Sequence, residues 1–208
     1  TWEGGDNQQA EEFAYGFCRS FNLSGEAGQA LMMSAEIVGR EVATTDFTPG
    51  LSIPTVEEIL FSKGKLYIDA VTTYPATTQK SNTLLSMNLA VNTGWIPVYT
   101  ADGNKYFSFV KQAMPEVTLS ITFEHDSTAV AEIAAWRAGT ARSIAIEFDG
   151  ASDAKYLNLR MVGKWDNFEK IGERDGNDIV TGNFRARYNS TAAGFFTAVI
   201  GNALESLP

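Results

Sequence analysis

The sequence predicts a mainly β protein: two packed antiparallel sheets, as a sandwich or open barrel, with one flanking α-helix and one long loop. Three observations predict it. Alternation of apolar and polar residues with period two recurs along most of the chain, the spacing of a strand that buries one face. A single Ala-rich stretch keeps helical spacing instead. Regular patterning lapses once, over residues 44–65, where Pro49, Gly50 and Pro54 interrupt it.

Taken in order, Phe13, Tyr15, Phe17 and Phe21 alternate near the start, and Leu31, Met33, Ala35 and Ile37 alternate with Ser34 and Glu36. Both segments read as strands, the second with its apolar members facing a core. Gly25-Glu26-Ala27-Gly28 between them reads as a turn. Within the long loop, Thr55-Val56-Glu57-Glu58 matches a capping box and predicts one helical turn through Leu60. Strands resume at Leu66, Ile68 and Ala70, at Met87, Leu89 and Val91, and at Phe107 and Phe109. Val117, Leu119, Ile121 and Phe123, set against Thr118, Ser120, Thr122 and Glu124, form the clearest two-faced strand.

Residues 126–138 carry the helix, with Val130, Ile133, Ala134 and Arg137 on one face. Asp126 suits the N-cap, because its carboxylate accepts from backbone N–H groups that lack a partner, and Gly139 suits the left-handed closing position. Ile144, Ile146 and Phe148 follow as a strand, then Leu157, Leu159 and Met161, then Phe184, Ala186 and Tyr188. Asp175-Gly176-Asn177-Asp178 tolerates positive φ and reads as a hairpin tip between the Lys164 region and the Asn183 strand. The stretch from Phe195 to Ile200 is a last strand. No linker, repeat or low-complexity tract divides the chain, so one domain over residues 1–208 is expected.

Composition narrows the function. A hydrophobic share of 44% supports a real core, while a net charge of −9 opposes a protein that grips phosphates through clustered Lys and Arg. The lone Cys18 allows no internal disulfide and fits synthesis in a cytoplasm. There is no apolar run long enough for a bilayer and no basic-then-apolar start, so a soluble protein without a membrane span is expected.

Catalytic constellations are sparse. Glu124-His125-Asp126-Ser127 surrounds the only histidine, yet triad members converge from separate elements, and neighbours at a strand-to-helix junction diverge. One His and one Cys supply no zinc set. Asp175, Asn177 and Asp178 offer oxygens to calcium, but hairpin geometry already explains them. Trp2, Trp95, Trp136 and Trp165 suggest either core and interface packing or a sugar-stacking platform. No catalytic residue, metal or cofactor is expected.

The order of the pieces carries a resemblance. The strand from Leu31 to Val42, the long loop, and Glu57-Glu58-Ile59-Leu60-Phe61-Ser62-Lys63-Gly64-Lys65-Leu66-Tyr67-Ile68-Asp69 resemble the major tail tube proteins of siphophages. So do the central strand-helix-strand from Val117 to Phe148 and the ending Leu157-Asn158-Leu159-Arg160-Met161, Asp175-Gly176-Asn177-Asp178, Phe184-Arg185-Ala186-Arg187-Tyr188. The resemblance implies six copies in a ring whose inner sheets join, with rings stacked into a conduit for the genome. It implies that loop 44–65 reaches a neighbouring ring through Asp46, Phe47, Leu51, Ile53, Glu57 and Glu58, and that residues 201–208 form a C-terminal arm. It also implies a virion location and as partners further copies of the chain, tail terminator and tail-tip proteins, with tape measure protein and double-stranded DNA inside the lumen. Acidic side chains opposite apolar ones, Glu36, Glu41, Asp69, Glu147 and Asp149, are the candidates for a lining that repels DNA. The competing expectations are a carbohydrate- or surface-binding β-sandwich of a virion tail tip and a hydrolase using His125.

Overall fold

The computed structural model describes residues 2–6, 9–13, 15–50, 59–72, 74, 76–152 and 154–202. It is mainly β, with antiparallel sheets and one α-helix, as the alternation predicts. The chain divides into two compact units, each assembled from separate segments: residues 1–22, 34–56 and 91–116 form the first, and residues 23–33, 57–90 and 117–208 the second.

The first unit holds a three-stranded sheet in which β1 (Trp2–Gly5) pairs with β2 (Ala10–Phe13), and β2 pairs with β5 (Ala43–Thr45). It also holds a two-stranded ribbon of β9 (Trp95–Val98) and β10 (Phe109–Gln112). Phe107 is its buried centre, with the rings of Phe17, Tyr15 and Tyr99 at centroid distances of 5.8, 6.0 and 6.4 Å. Arg40 stacks on Tyr106 at 4.5 Å and donates through Nε to the Phe107 carbonyl at 3.1 Å.

Strands β3 (Gly16–Glu26), β4 (Met32–Gly39) and β8 (Leu84–Asn92) run through both segment sets. The second unit is built on β11 (Glu116–Glu124), β12 (Arg142–Asp149), β13 (Tyr156–Phe168), β15 (Asn177–Ala186), β6 (Gly64–Ala70) and the two-residue β7 (Gln79–Lys80). The hydrogen-bonded order is β4-β3-β8-β11-β15-β13-β12-β6-β7, with β14 (Gly172–Arg174) on β15 and β16 (Phe196–Gly201) on β13.

Alternation decides which side chains fill this core. Val117, Leu119, Ile121 and Phe123 are buried, and so are Ile144, Ile146 and Phe148 opposite Met161, Leu159 and Leu157. Each fully buried side chain of this size contributes roughly 1.5–3 kcal/mol. Asp175 and Gly176 both have positive φ, 52° and 83°, which is the hairpin geometry that the Asp-Gly pair predicts, and they join β14 to β15. An extra residue, Asp166, bulges β13 where Trp165 opposes Phe184 and Asn167 opposes Asn183.

Helix α1 (Ser127–Arg137) starts where expected, with Asp126 accepting from the Ala129 N–H at 2.9 Å, and Gly139 has φ +64°. Its buried face differs from expectation. Ala129, Glu132 and Ala135 are buried, whereas Val130, Ala134 and Arg137 are exposed. The reason is chemical: Glu132 accepts from Arg142 Nε at 3.1 Å and from Trp165 Nε1 at 2.9 Å, so a paired carboxylate occupies a position that apolar counting leaves to Val130.

The long loop is also narrower than residues 44–65. Thr44 and Thr45 pair with Glu11 and Ala10 on β2, and Gly64 and Lys65 already belong to β6 after a 3-10 turn at Phe61–Lys63. The capping box at Thr55 to Glu58 lies outside the described residues.

Candidate assembly surfaces

Strand β4 departs most from what an isolated chain should show. Its alternation predicts that Met33 and Ile37 face a core, but Met33 is 67% exposed, Ile37 56% and Met32 64%. Residues Met32 to Ile37 are all exposed, on both faces of the strand. β4 also ends the hydrogen-bonded order, so one row of its N–H and C=O groups has no strand beside it among the described residues. An exposed, apolar edge strand is a template for pairing with another chain. A second margin shows the same chemistry: β16 pairs with β13 on one side, and its Val199 and Ile200 are exposed. On β9 and β10, Trp95, Ile96 and Phe109 are exposed as well.

The loop between β5 and β6 is tethered at both described ends. Thr48 donates its N–H to Glu3 at 2.9 Å, and Leu31 donates to Ile59 and Phe61 to Gln29 at 2.8 and 3.0 Å. Asp46 and Phe47 are exposed, while Leu51, Ile53, Glu57 and Glu58 lie outside the described residues. Of the C-terminal arm, Gly201 closes β16 and residues 203–208 lie outside the description.

The five acidic candidates fall into two groups. Asp69, Glu147 and Asp149 share one face of β6 and β12, because Asp69 opposes Ser143 and Glu147 opposes Lys65 in register, on the side away from Ile144, Ile146 and Phe148. Glu36 and Glu41 belong to the first unit. Four of the five already have partners. Glu36 accepts from Arg19 at 3.3 Å and Ser20 at 3.4 Å, Glu147 from Arg160 at 2.8 Å, and Asp149 from Lys65 at 2.6 Å. The hydrogen bond and charge of Asp149 raise the Lys65 ammonium above its ordinary range. Asp69 accepts from the backbone and hydroxyl of Thr77 and from the Thr78 N–H, at 2.9–3.3 Å. Burial pushes that carboxyl up, but the threonine hydrogen bonds outweigh it and hold it below the usual range. Paired carboxylates carry less outward field than free ones, so Asp69 contributes the main uncompensated charge on that face.

The competing constellations disperse. Asp126 is committed to its cap, and Ser127 begins the helix as an exposed residue. Trp165 is buried against Phe123, Phe168 and Phe184, and Trp136 donates its indole N–H to the Asp166 carbonyl at 3.0 Å. Trp165 is core and Trp136 is half-buried, which leaves Trp95 as the exposed one among the described side chains. No helix among the described residues is long and apolar enough to cross a membrane.

A family model described as phage tail tube protein matches residues 1–199. The chain belongs to the phage tail tube protein family. Comparison with curated proteins found no match. Family membership makes this tail tube protein a structural component of a phage tail that assembles with itself. It gives the bare β4 margin a physical context. Alternation marks the apolar residues of β4 as one face of a half-buried strand without saying what covers that face, and Met32 beside Met33 breaks strict alternation.

Proposed function

We propose that this tail tube protein forms one tube domain over residues 1–208 and assembles as hexameric rings that stack into the tail tube of a siphophage, the conduit through which the genome reaches the host. The observation that carries the reading is β4, an edge strand with Met32, Met33 and Ile37 bare on its surface. A head-to-tail ring removes such lateral edges, and stacking extends it along an open axis. The role is architectural, without catalysis. The chain is made in the host cytoplasm, and tape measure protein and double-stranded DNA occupy the lumen in turn, with terminator and tip proteins at the tube's ends. Loop 44–65 and the arm 201–208 contact neighbouring copies. Glu41 and Asp69, with the paired Glu36, Glu147 and Asp149, keep the lining from adsorbing phosphates.

The test replaces Met33 and Ile37 by Asp. Both residues are exposed in the single chain, so folding stability should change by no more than about 0.5 kcal/mol each. The expected result is an unchanged melting temperature with loss of rings and tubes in negative-stain micrographs. Tubes as abundant as those of the unaltered protein would remove β4 from the interface.

A further inference from the structure

We infer, on the reading that copies close into head-to-tail rings, that β16 of one copy is the strand that pairs with the bare edge of β4 in the next. β16 lies on β13 along Tyr156 to Met161, and β12 occupies the other edge of those same residues. A strand has two edges, so β16 is outermost there, with no strand beyond it among the described residues. Like β4, it is bare on both faces. Val199 is 42% exposed and Ile200 68%, and successive residues of a strand point to opposite sides. Thr197 and Ala198 are exposed as well.

Folded proteins keep open strand edges from pairing by charge, proline, bulges or brevity. Other margins of this chain follow that rule. β7 has two residues and one is Lys80, β14 has three and two are Glu173 and Arg174, β9 carries Pro97 and β10 carries Lys111. β16 has no such guard: Phe196-Thr197-Ala198-Val199-Ile200-Gly201 holds no charge and no proline, and its register with β13 runs without a bulge. β4 is its counterpart, eight residues without Lys, Arg or Pro, whose single charge, Glu36, is engaged by Arg19. Two different unguarded edges are what a head-to-tail ring requires, because each copy presents one surface to each neighbour. β4 against β4 would be a two-fold contact that stops at a dimer. Pairing β4 with β16 gives both rows of backbone N–H and C=O groups partners, as when an added strand extends a sheet, and it withdraws apolar side chains of both strands from water.

The test uses two full-length variants. Met33→Asp with Ile37→Asp closes β4 and leaves β16 sound, and Ala198→Lys with Ile200→Lys closes β16 and leaves β4 sound. All four residues are exposed, so both melting temperatures should match that of the unaltered protein. Each variant alone should sediment as a monomer at concentrations where the unaltered protein assembles. Mixed in equal amounts, the two should form a 1:1 dimer, because one sound β4 then meets one sound β16. Hydrogen exchange in that dimer should slow about tenfold or more at β4 of one variant and β16 of the other. A mixture that stays monomeric would overturn the pairing, and so would rings, tubes or self-dimers of the variant with closed β16. A β16 already protected in the monomer, with a lowered melting temperature on its substitution, would overturn it too, since the chain itself would then cover that strand. The mixture needs one contact and no tube, so an unaltered protein that forms no tubes while the mixture dimerises would remove the ring reading and keep the pairing.

Discussion

At the scale of single residues, Asp166 shows what one inserted position does. The bulge in β13 turns its carboxylate toward β15 and the residues just beyond, where it accepts from Arg185 at 2.7 Å and Arg187 at 2.9 Å. Burial raises this carboxyl, but the two arginine hydrogen bonds and charges outweigh burial and hold it below the ordinary aspartate range. A depressed folded value stabilises the protein above the unfolded value, and that contribution is lost as pH falls through the folded one. Asp166→Asn should therefore be less stable than the unaltered protein at neutral pH. The difference in urea midpoint should close once the pH drops below the usual aspartate range. A difference that persists unchanged in acid would show that the ion pairs are not its cause. None of this was visible in the sequence, because a bulge has no period, and Asp166 reads as one more polar residue between Trp165 and Asn167. Asp126 was legible for the opposite reason: a cap is local, and its donor is three residues away.

At the scale of elements, α1 and β4 show the two ways in which periodicity misleads. Spacing located α1 and both of its ends, because caps and Ala content act within the segment itself. It chose the wrong buried face, because Val130 counts as apolar and Glu132 does not, whereas packing depends on partners from β12 and β13 that lie beyond the segment. Glu132→Ala should cost roughly 2–3 kcal/mol, since it strands the Arg142 guanidinium and the Trp165 indole at a site from which water is largely excluded. Chemical denaturation measures it, and a cost under about 0.5 kcal/mol would mean that the pair is incidental. In β4, spacing was right about the strand and wrong about what covers it. An alternating pattern states that a strand has an apolar face, and nothing in it states whose core that face enters.

For the whole molecule, the same distinction separates fold from function. The mainly β architecture, the hairpin at Asp175-Gly176 and the single helix follow from local rules and were readable in order along the chain. The two units were not readable, because each is gathered from three separated segments and no linker marks a boundary. The paired state of Glu147 and Asp149 was hidden too, since Arg160 and Lys65 reach them across strands distant in sequence. The apolar residues left bare in one copy are a property of an assembling chain: they lower free energy only when a second copy arrives. The decisive measurement is a cryo-electron microscopy reconstruction of the assembled protein. The account predicts β4 hydrogen-bonded along its outer edge to a strand of the adjoining copy, with Met33 and Ile37 buried between them. A tube in which β4 remains open to solvent, its Met33 and Ile37 as exposed as in the single chain, would contradict it.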